Sequence, residues 1–209
     1  MGTLQRKVRE RRARRQAIQA AAVQVFSDKG FSRATMEDIA RQAELSVGTI
    51  YLYYRSKEEL YVSLLFESMK IFTGAIEKIM ATGLPPDRQL KKVWEYFYTY
   101  HTRYPQSYRV LLFLQQPGLT AGISPKTLQE INVRAGRNFS LVSRVVAAAM
   151  AKGIYRAHEP REVVDLLWSL FLGLVHLSET RQNLGVTIST LKDLHRKAFR
   201  WLEAGLRPR

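Results

Sequence analysis

The 209-residue sequence contains no cysteine, which removes disulfides, thiolate metal sites and a cysteine nucleophile from consideration. That suits a reducing cytoplasm. It also lacks a glycine-rich phosphate loop: Gly48 stands alone, and Lys152-Gly153 has none of the flanking residues such a loop needs. The four histidines, at 101, 158, 176 and 195, show neither metal-ligand spacing nor a nucleophile–base arrangement. No enzymatic activity is expected, and no cofactor or metal is called for. Uninterrupted apolar runs long enough for a membrane span, roughly 20 residues, are missing as well. The richest stretch, Val163 to Leu177, is broken by Asp165, Ser169 and His176.

Acidic residues are scarce. Eighteen Asp and Glu face thirty-three Lys and Arg, leaving a net charge of +15. Such an excess favours a polyanionic partner, nucleic acid first, an anionic membrane or acidic ligand second. Residues 1–57 hold twelve basic and five acidic side chains, and residues 1–15 alone hold seven and one. The run Arg6–Arg15 followed by Ala17–Phe26 has the look of a signal peptide. However, Gln16, Gln19 and Gln24 interrupt the apolar part, and the pattern has helical period. A basic helix is the better reading.

Helical periodicity continues almost throughout. Ile18, Ala21, Ala22, Val25 and Phe26 mark one apolar face, and Gly30 is placed to end that helix. Thr35 caps a short second helix reaching about Gln42, with Glu37 and Asp38 in its first turn. Ser46 caps a third, expected to run to about Tyr53. The β-branched and aromatic stretch Thr49–Tyr54 would suit a strand, but it has no partner strand elsewhere. Ser56-Lys57-Glu58-Glu59 opens a long fourth helix, to about Met80, and Gly83-Leu84-Pro85-Pro86 ends that segment. A fifth helix carries Leu90, Val93, Trp94, Phe97 and His101 on one face. Pro105 stops it and can start a sixth, and residues 117–125 read as a loop. Leu128, Ile131, Ala135, Phe139, Val142, Val146 and Ala149 mark a seventh, ended near Gly153, Pro160 and Gly185 bracket an eighth, and Ile188, Leu191, Leu194, Ala198 and Leu202 mark a ninth.

Residues 36–54 have the layout of a helix-turn-helix, whose second helix enters the major groove of DNA. Ile39, Ala40, Ala43, Leu45, Val47 and Ile50 can pack the two helices together. Gly48 and Thr49 lie on the exposed first turn, where small side chains let the backbone approach base edges. Within residues 14–62, Phe26, Gly30-Phe31, Thr35-Met36-Glu37-Asp38-Ile39-Ala40, Ser46-Val47-Gly48-Thr49-Ile50-Tyr51, Tyr53-Tyr54 and Ser56-Lys57-Glu58-Glu59-Leu60 resemble the N-terminal domain of the TetR family of transcriptional regulators. Tyr54 stands where that family commonly has Phe.

The resemblance implies roles for individual residues. Thr35 would contact a phosphate. Ser46 would start the recognition helix, with Val47, Gly48 and Thr49 facing the bases. Tyr51 and Tyr53 would reach phosphates, and Lys57 would supply another phosphate contact. Arg6 to Arg15, with Arg11 and Arg14 as the named candidates, would lie along the flanking backbone. Each has a plainer alternative. The tyrosines can be core aromatics, Lys57 can decorate a solvated face, and the basic run can be a solubilising tail.

Eight of the chain's aromatics fall in residues 91–113, five of them tyrosines whose hydroxyls need partners if buried. Packing alone is the default for aromatics at helical spacing, while a ligand pocket accounts for the hydroxyls too. Trp94, Tyr98, His101, Tyr108, Phe139 and Trp168 are the ligand-binding candidates. Arg103, Arg109, Arg134 and Arg137 leave an anionic ligand open, a fatty acyl-CoA for example. The eighth helix is apolar nearly all round, which calls for cover on two sides. The resemblance implies that the second cover is another subunit, in a four-helix bundle of the last two helices of each. Leu167, Leu170, Phe171, Leu174, Leu191, Leu194, Ala198 and Leu202 are the dimer-interface candidates.

The expected architecture is therefore all-α, about nine helices. A three-helix helix-turn-helix domain with its basic arm occupies residues 1–56, and a ligand-binding and dimerisation domain occupies 57–209. The expected function is a cytoplasmic, nucleoid-associated, ligand-responsive repressor. It would bind an inverted-repeat operator as a homodimer, with no membrane partner, and be released by an aromatic, hydrophobic or acyl-type effector. The rivals are a non-specific basic nucleic-acid-binding protein and a ligand-binding protein with a vestigial DNA head.

Overall fold

A computed structural model describes residues 3–114, 119–186 and 188–208. Among the described residues there are nine α-helices, one 3-10 turn and no strand. The helices are α1 (Thr3–Arg33), α2 (Met36–Gln42), α3 (Val47–Tyr51), α4 (Lys57–Met80), α5 (Pro86–Arg103), α6 (Pro105–Leu114), α7 (Pro125–Ala151), α8 (Pro160–Asn183) and α9 (Leu191–Leu206). The all-α, nine-helix expectation holds, and residues 49–51 are helical despite their strand-like composition.

The ends follow the capping residues. Thr35 and Asp38 form a reciprocal capping box at α2. Ser46 Oγ accepts from the Thr49 backbone N–H at α3, and Ser56 Oγ accepts from that of Glu59 at α4. Four boundaries differ from the sequence reading. Gly30, at φ 72°, interrupts α1, but one more turn follows it to Arg33. α3 ends at Tyr51, short of Tyr53. In the segment 117–125, read as a loop, Leu119–Gly122 form the 3-10 turn, while positions 117 and 118 lie outside the described residues. Ile188 precedes α9 and is exposed, because Thr190 Oγ1 accepts from the Asp193 N–H and starts the helix after it.

The chain forms two compact units, Met1–Ser68 with Tyr104–Val133, and Met69–Arg103 with Arg134–Arg209. In the first, Ile18, Phe26, Ile39, Ile50, Tyr54 and Leu60 are buried in the core. Phe31, Tyr61 and Phe113 add an aromatic cluster with ring centroids 4.5–5.2 Å apart, which ties α1, α4 and α6 together. In the second, Ile76, Leu90, Trp94, Val146, Leu167 and Phe171 are buried. Trp94 Nε1 donates to the His195 carbonyl at 2.9 Å, pinning α5 to α9. The end of α9 is held by Arg207 on Asp87 at 3.1 Å and by the Arg156 backbone N–H donating to the Leu206 carbonyl at 2.8 Å. By length and composition α8 could cross a bilayer. Its Val163, Val164, Leu167, Phe171 and Val175, however, are buried in this unit.

Candidate nucleic-acid interface

The turn between α2 and α3 is tight enough to hold Glu44 at φ 54°, a left-handed conformation unusual for a non-glycine residue. The Leu45 N–H closes it by donating to the Ala40 carbonyl at 2.9 Å. α2 buries Met36, Ile39 and Ala40, and α3 buries only Ile50. The rest of α3 is left to face outward.

Its first turn is open. Ser46 is exposed and Val47 and Thr49 are partly so, the two hydroxyls lying 2.8 Å apart. Gly48 is exposed, and a Cβ built on it meets nothing within 4 Å. Its φ is not positive, so neither backbone conformation nor internal packing requires glycine there. In a helix that choice costs about 0.5–1 kcal/mol relative to alanine.

The three tyrosines separate. Tyr51 is 50% exposed, Tyr53 is partly buried, and Tyr54 is buried. Tyr54 Oη accepts from Arg15 Nε at 3.1 Å, so its hydroxyl serves the packing of α1 on the motif. Tyr53 instead lines a shallow cavity of about 290 Å³ with Val8, Arg11, Arg12 and Arg15 of α1. Arg11 therefore stands beside Tyr53, while Arg14 is exposed on α1 outside that cavity. Arg12 and Arg15 belong to the Arg6–Arg15 run but are not singled out in the sequence reading. Their signal was present, since positions 8, 11, 12 and 15 recur at helical spacing.

Thr35 is exposed at the start of α2, with Oγ1 accepting from the Asp38 N–H and its own proton still available to donate. A Lys29 side-chain hydrogen bond holds the Asp38 carboxyl below its ordinary range. Lys57 is neither fully solvated nor wholly free. Its ammonium donates to the Phe31 and Ala34 carbonyls, both at 2.9 Å, leaving one N–H. Glu59 adds a second polar tie in this unit. Burial pushes its carboxyl up, but the Arg55 N–H and the Thr127 and Ser124 hydroxyls together bring it below the ordinary value.

Five of the six ligand-binding candidates lie in the second unit, where Trp94 also packs on Phe97 and Phe171, and the sixth lies in the first. Trp94 and Tyr98 line a groove of about 730 Å³ between α5 and α9. His101, Phe139 and Trp168 belong to an aromatic cluster around Phe97 and Phe171, with centroid separations of 5.4–6.2 Å. Burial lowers the His101 pKa, partly opposed by Glu179. Tyr108 is buried in the first unit.

Of the dimer candidates, Leu167, Phe171 and Ala198 are buried within the second unit, while Leu170, Leu174, Leu191, Leu194 and Leu202 are partly exposed. Leu166, Leu177 and Trp201, absent from that set, are large exposed apolar residues on the same two helices. The period marked α8 and α9 as apolar but could not say which side their own unit would cover.

Residues 18–64 match the family model described as bacterial regulatory proteins, tetR family. The HTH-type transcriptional repressor NicS of Pseudomonas putida is 28% identical over 68% of this chain and 66% of its own length. The fatty acid metabolism regulator protein of Bacillus subtilis is 35% identical over 34% of this chain and 37% of its own. The match thus spans no more than about two thirds of either relative. Among solved structures, FadR from Bacillus subtilis in complex with stearoyl-CoA superimposes with a TM-score of 0.74 at 21% identity, covering 92% of this chain and 99% of that one. A TetR/AcrR-family regulator from Thermobifida fusca gives 0.72 at 19%, covering 94% and 100%. At those identities the superpositions speak for the fold. The capped helix-turn-helix, its surrounding residues and the match over them agree: residues 18–64 carry the helix-turn-helix segment of the tetR family of bacterial regulatory proteins.

Proposed function

We propose that the chain is a ligand-responsive transcriptional repressor that binds an inverted-repeat operator as a homodimer in the cytoplasm. Residues 1–56 form the DNA-binding head, and 57–209 carry effector binding and dimerisation. The observation that carries the reading is the open first turn of α3, with Gly48 unhindered and exposed, Tyr51 exposed at the end of that helix, and the α1 arginines beside Tyr53. Val47, Gly48 and Thr49 face the bases. Thr35, Ser46, Tyr51, Tyr53, Arg11 and Arg14 serve the backbone, joined by Arg12 and Arg15. Lys57 holds the end of α1 and offers its remaining N–H to a phosphate.

A second subunit covers the exposed side of α8 and α9, where Leu166, Leu177 and Trp201 would otherwise stay in water. A small effector binds among the aromatics of the second unit. An aromatic, hydrophobic or acyl-type effector suits them, and the stearoyl-CoA held by the Bacillus subtilis FadR supports the acyl option. Its binding shifts α4, and release of DNA requires that it favour one head separation over another.

The test is capture of fragmented genomic DNA from the source organism at near-physiological salt with competitor, followed by sequencing. Enrichment of a few sites sharing an inverted repeat is expected. The net charge of +15 favours a second reading, non-specific nucleic-acid binding. That reading predicts uniform retention that collapses with salt whatever the sequence.

A further inference from the structure

The seam between α5 and α9 is unusual for a surface groove. Its residues include Trp94, His195 and Phe199, all buried, and the half-buried Tyr98. The Trp94 ring lies parallel to the His195 imidazole, with centroids 4.5 Å apart and planes 11° apart. Above this aromatic base stand exposed cations. Among the described residues, Lys91, Lys192 and Arg200 form no ion pair, and Arg196 is matched with Asp193 at 3.1 Å. His195 Nε2 is buried without a hydrogen-bond partner. The imidazole is uncharged at neutral pH, because burial pushes its pKa down to about 4.

We infer that the α5–α9 groove is a binding site for a small planar aromatic carboxylate. Lys91 on the α5 side and Lys192, Arg196 and Arg200 on the α9 side outnumber the acidic Glu95 and Asp193 around the groove, and the positive excess favours an anion. An aromatic base rewards a flat apolar body, and a guanidinium or ammonium beside it adds a cation–π component. The cavity, about 730 Å³, falls within the roughly 300–1,000 Å³ typical of small-molecule sites. Lys192 and Trp201 are about two and a half helical turns apart, so they lie on opposite sides of α9. The groove therefore stays open when the Trp201 side is covered. This narrows the effector reading to one site and one ligand class. It rests on that reading only for the consequence of binding, since occupancy is measured without DNA.

The experiment titrates naphthalene-2-carboxylate into the full chain at low salt, by calorimetry and by backbone-amide NMR. Shift changes are expected to concentrate in residues 91–99 and 192–200. The exposed double variant Lys192→Glu/Arg200→Glu should weaken binding by about tenfold while keeping its thermal midpoint, and Lys91→Glu should weaken it less. The uncharged naphthalene-2-carboxamide should also bind more weakly. The inference is overturned by unchanged affinity in both charge variants, by shifts centred on Phe139 and Trp168, by preference for a poly-glutamate peptide, or by no binding up to about 1 mM. Failure to enrich operator DNA would strike the regulator reading and leave these outcomes untouched.

Discussion

The Lys57 ammonium donates to the Phe31 carbonyl at 2.9 Å and stands 4.4 Å from the centroid of the same residue's ring. One side chain at the start of α4 thus caps the negative end of α1 and joins the Phe31–Tyr61–Phe113 cluster. Lys57→Met removes the charge and keeps the stem. It is expected to lower stability by about 1–3 kcal/mol in urea titration. If Lys57 served only a phosphate, the variant would lose DNA affinity at unchanged stability.

Gly48→Ala has open space and a compatible backbone. It should raise the stability of the head by about 0.5–1 kcal/mol, because alanine favours helix over glycine. With Gly48 facing the bases as proposed, operator affinity should fall at least several-fold, since the added methyl would meet a base edge. A variant that was more stable and bound operator equally well would remove Gly48 from the interface.

On α8, adjacent leucines have different surroundings. Leu167 is 1% exposed and Leu166 is 63% exposed. Leu167→Ala is expected to cost about 2–5 kcal/mol of stability by leaving a cavity. Leu166→Glu with Leu177→Glu should leave each protomer folded but halve the mass in sedimentation. A double variant that kept the wild-type mass would place the subunit contact elsewhere.

His195 gives a pH signature. Its folded pKa, about 4, lies below the ordinary 6.5, so the unfolded chain binds the proton more readily. The contribution is fully present above 6.5 and is lost progressively as pH falls toward 4. The thermal midpoint should drop between pH 7 and 5, before ordinary carboxylates titrate, and His195→Phe should flatten that part of the profile. The lowered carboxyls of Asp38 and Glu59 act only at more acid pH. An unchanged slope in His195→Phe would show that the imidazole is not the group responsible.

Much of the interface was legible because its causes are local. A cap hydroxyl three residues before an amide, a glycine where the helix has no use for one, and arginines at helical spacing all act within one or two turns. What was not legible depended on distant chain. Lys57 read as a phosphate contact or, alternatively, a solvated charge, because the carbonyls it serves lie more than twenty residues earlier. Tyr53 and Tyr54 are neighbours of the same type, and only the position of Arg15 and the α1 face separates a cavity wall from a buried hydroxyl acceptor.

The sequence by itself determined nine helices, most of their ends and the exposed first turn of α3, because periodicity and capping are settled by residues three and four positions apart. Tertiary structure alone decided which side of α8 and α9 is covered by its own unit, and that Trp94 and His195 meet to form the base of a groove. Those outcomes come from packing between segments a hundred residues apart. There, which neighbour takes a side chain out of water depends on the whole unit rather than on any local pattern.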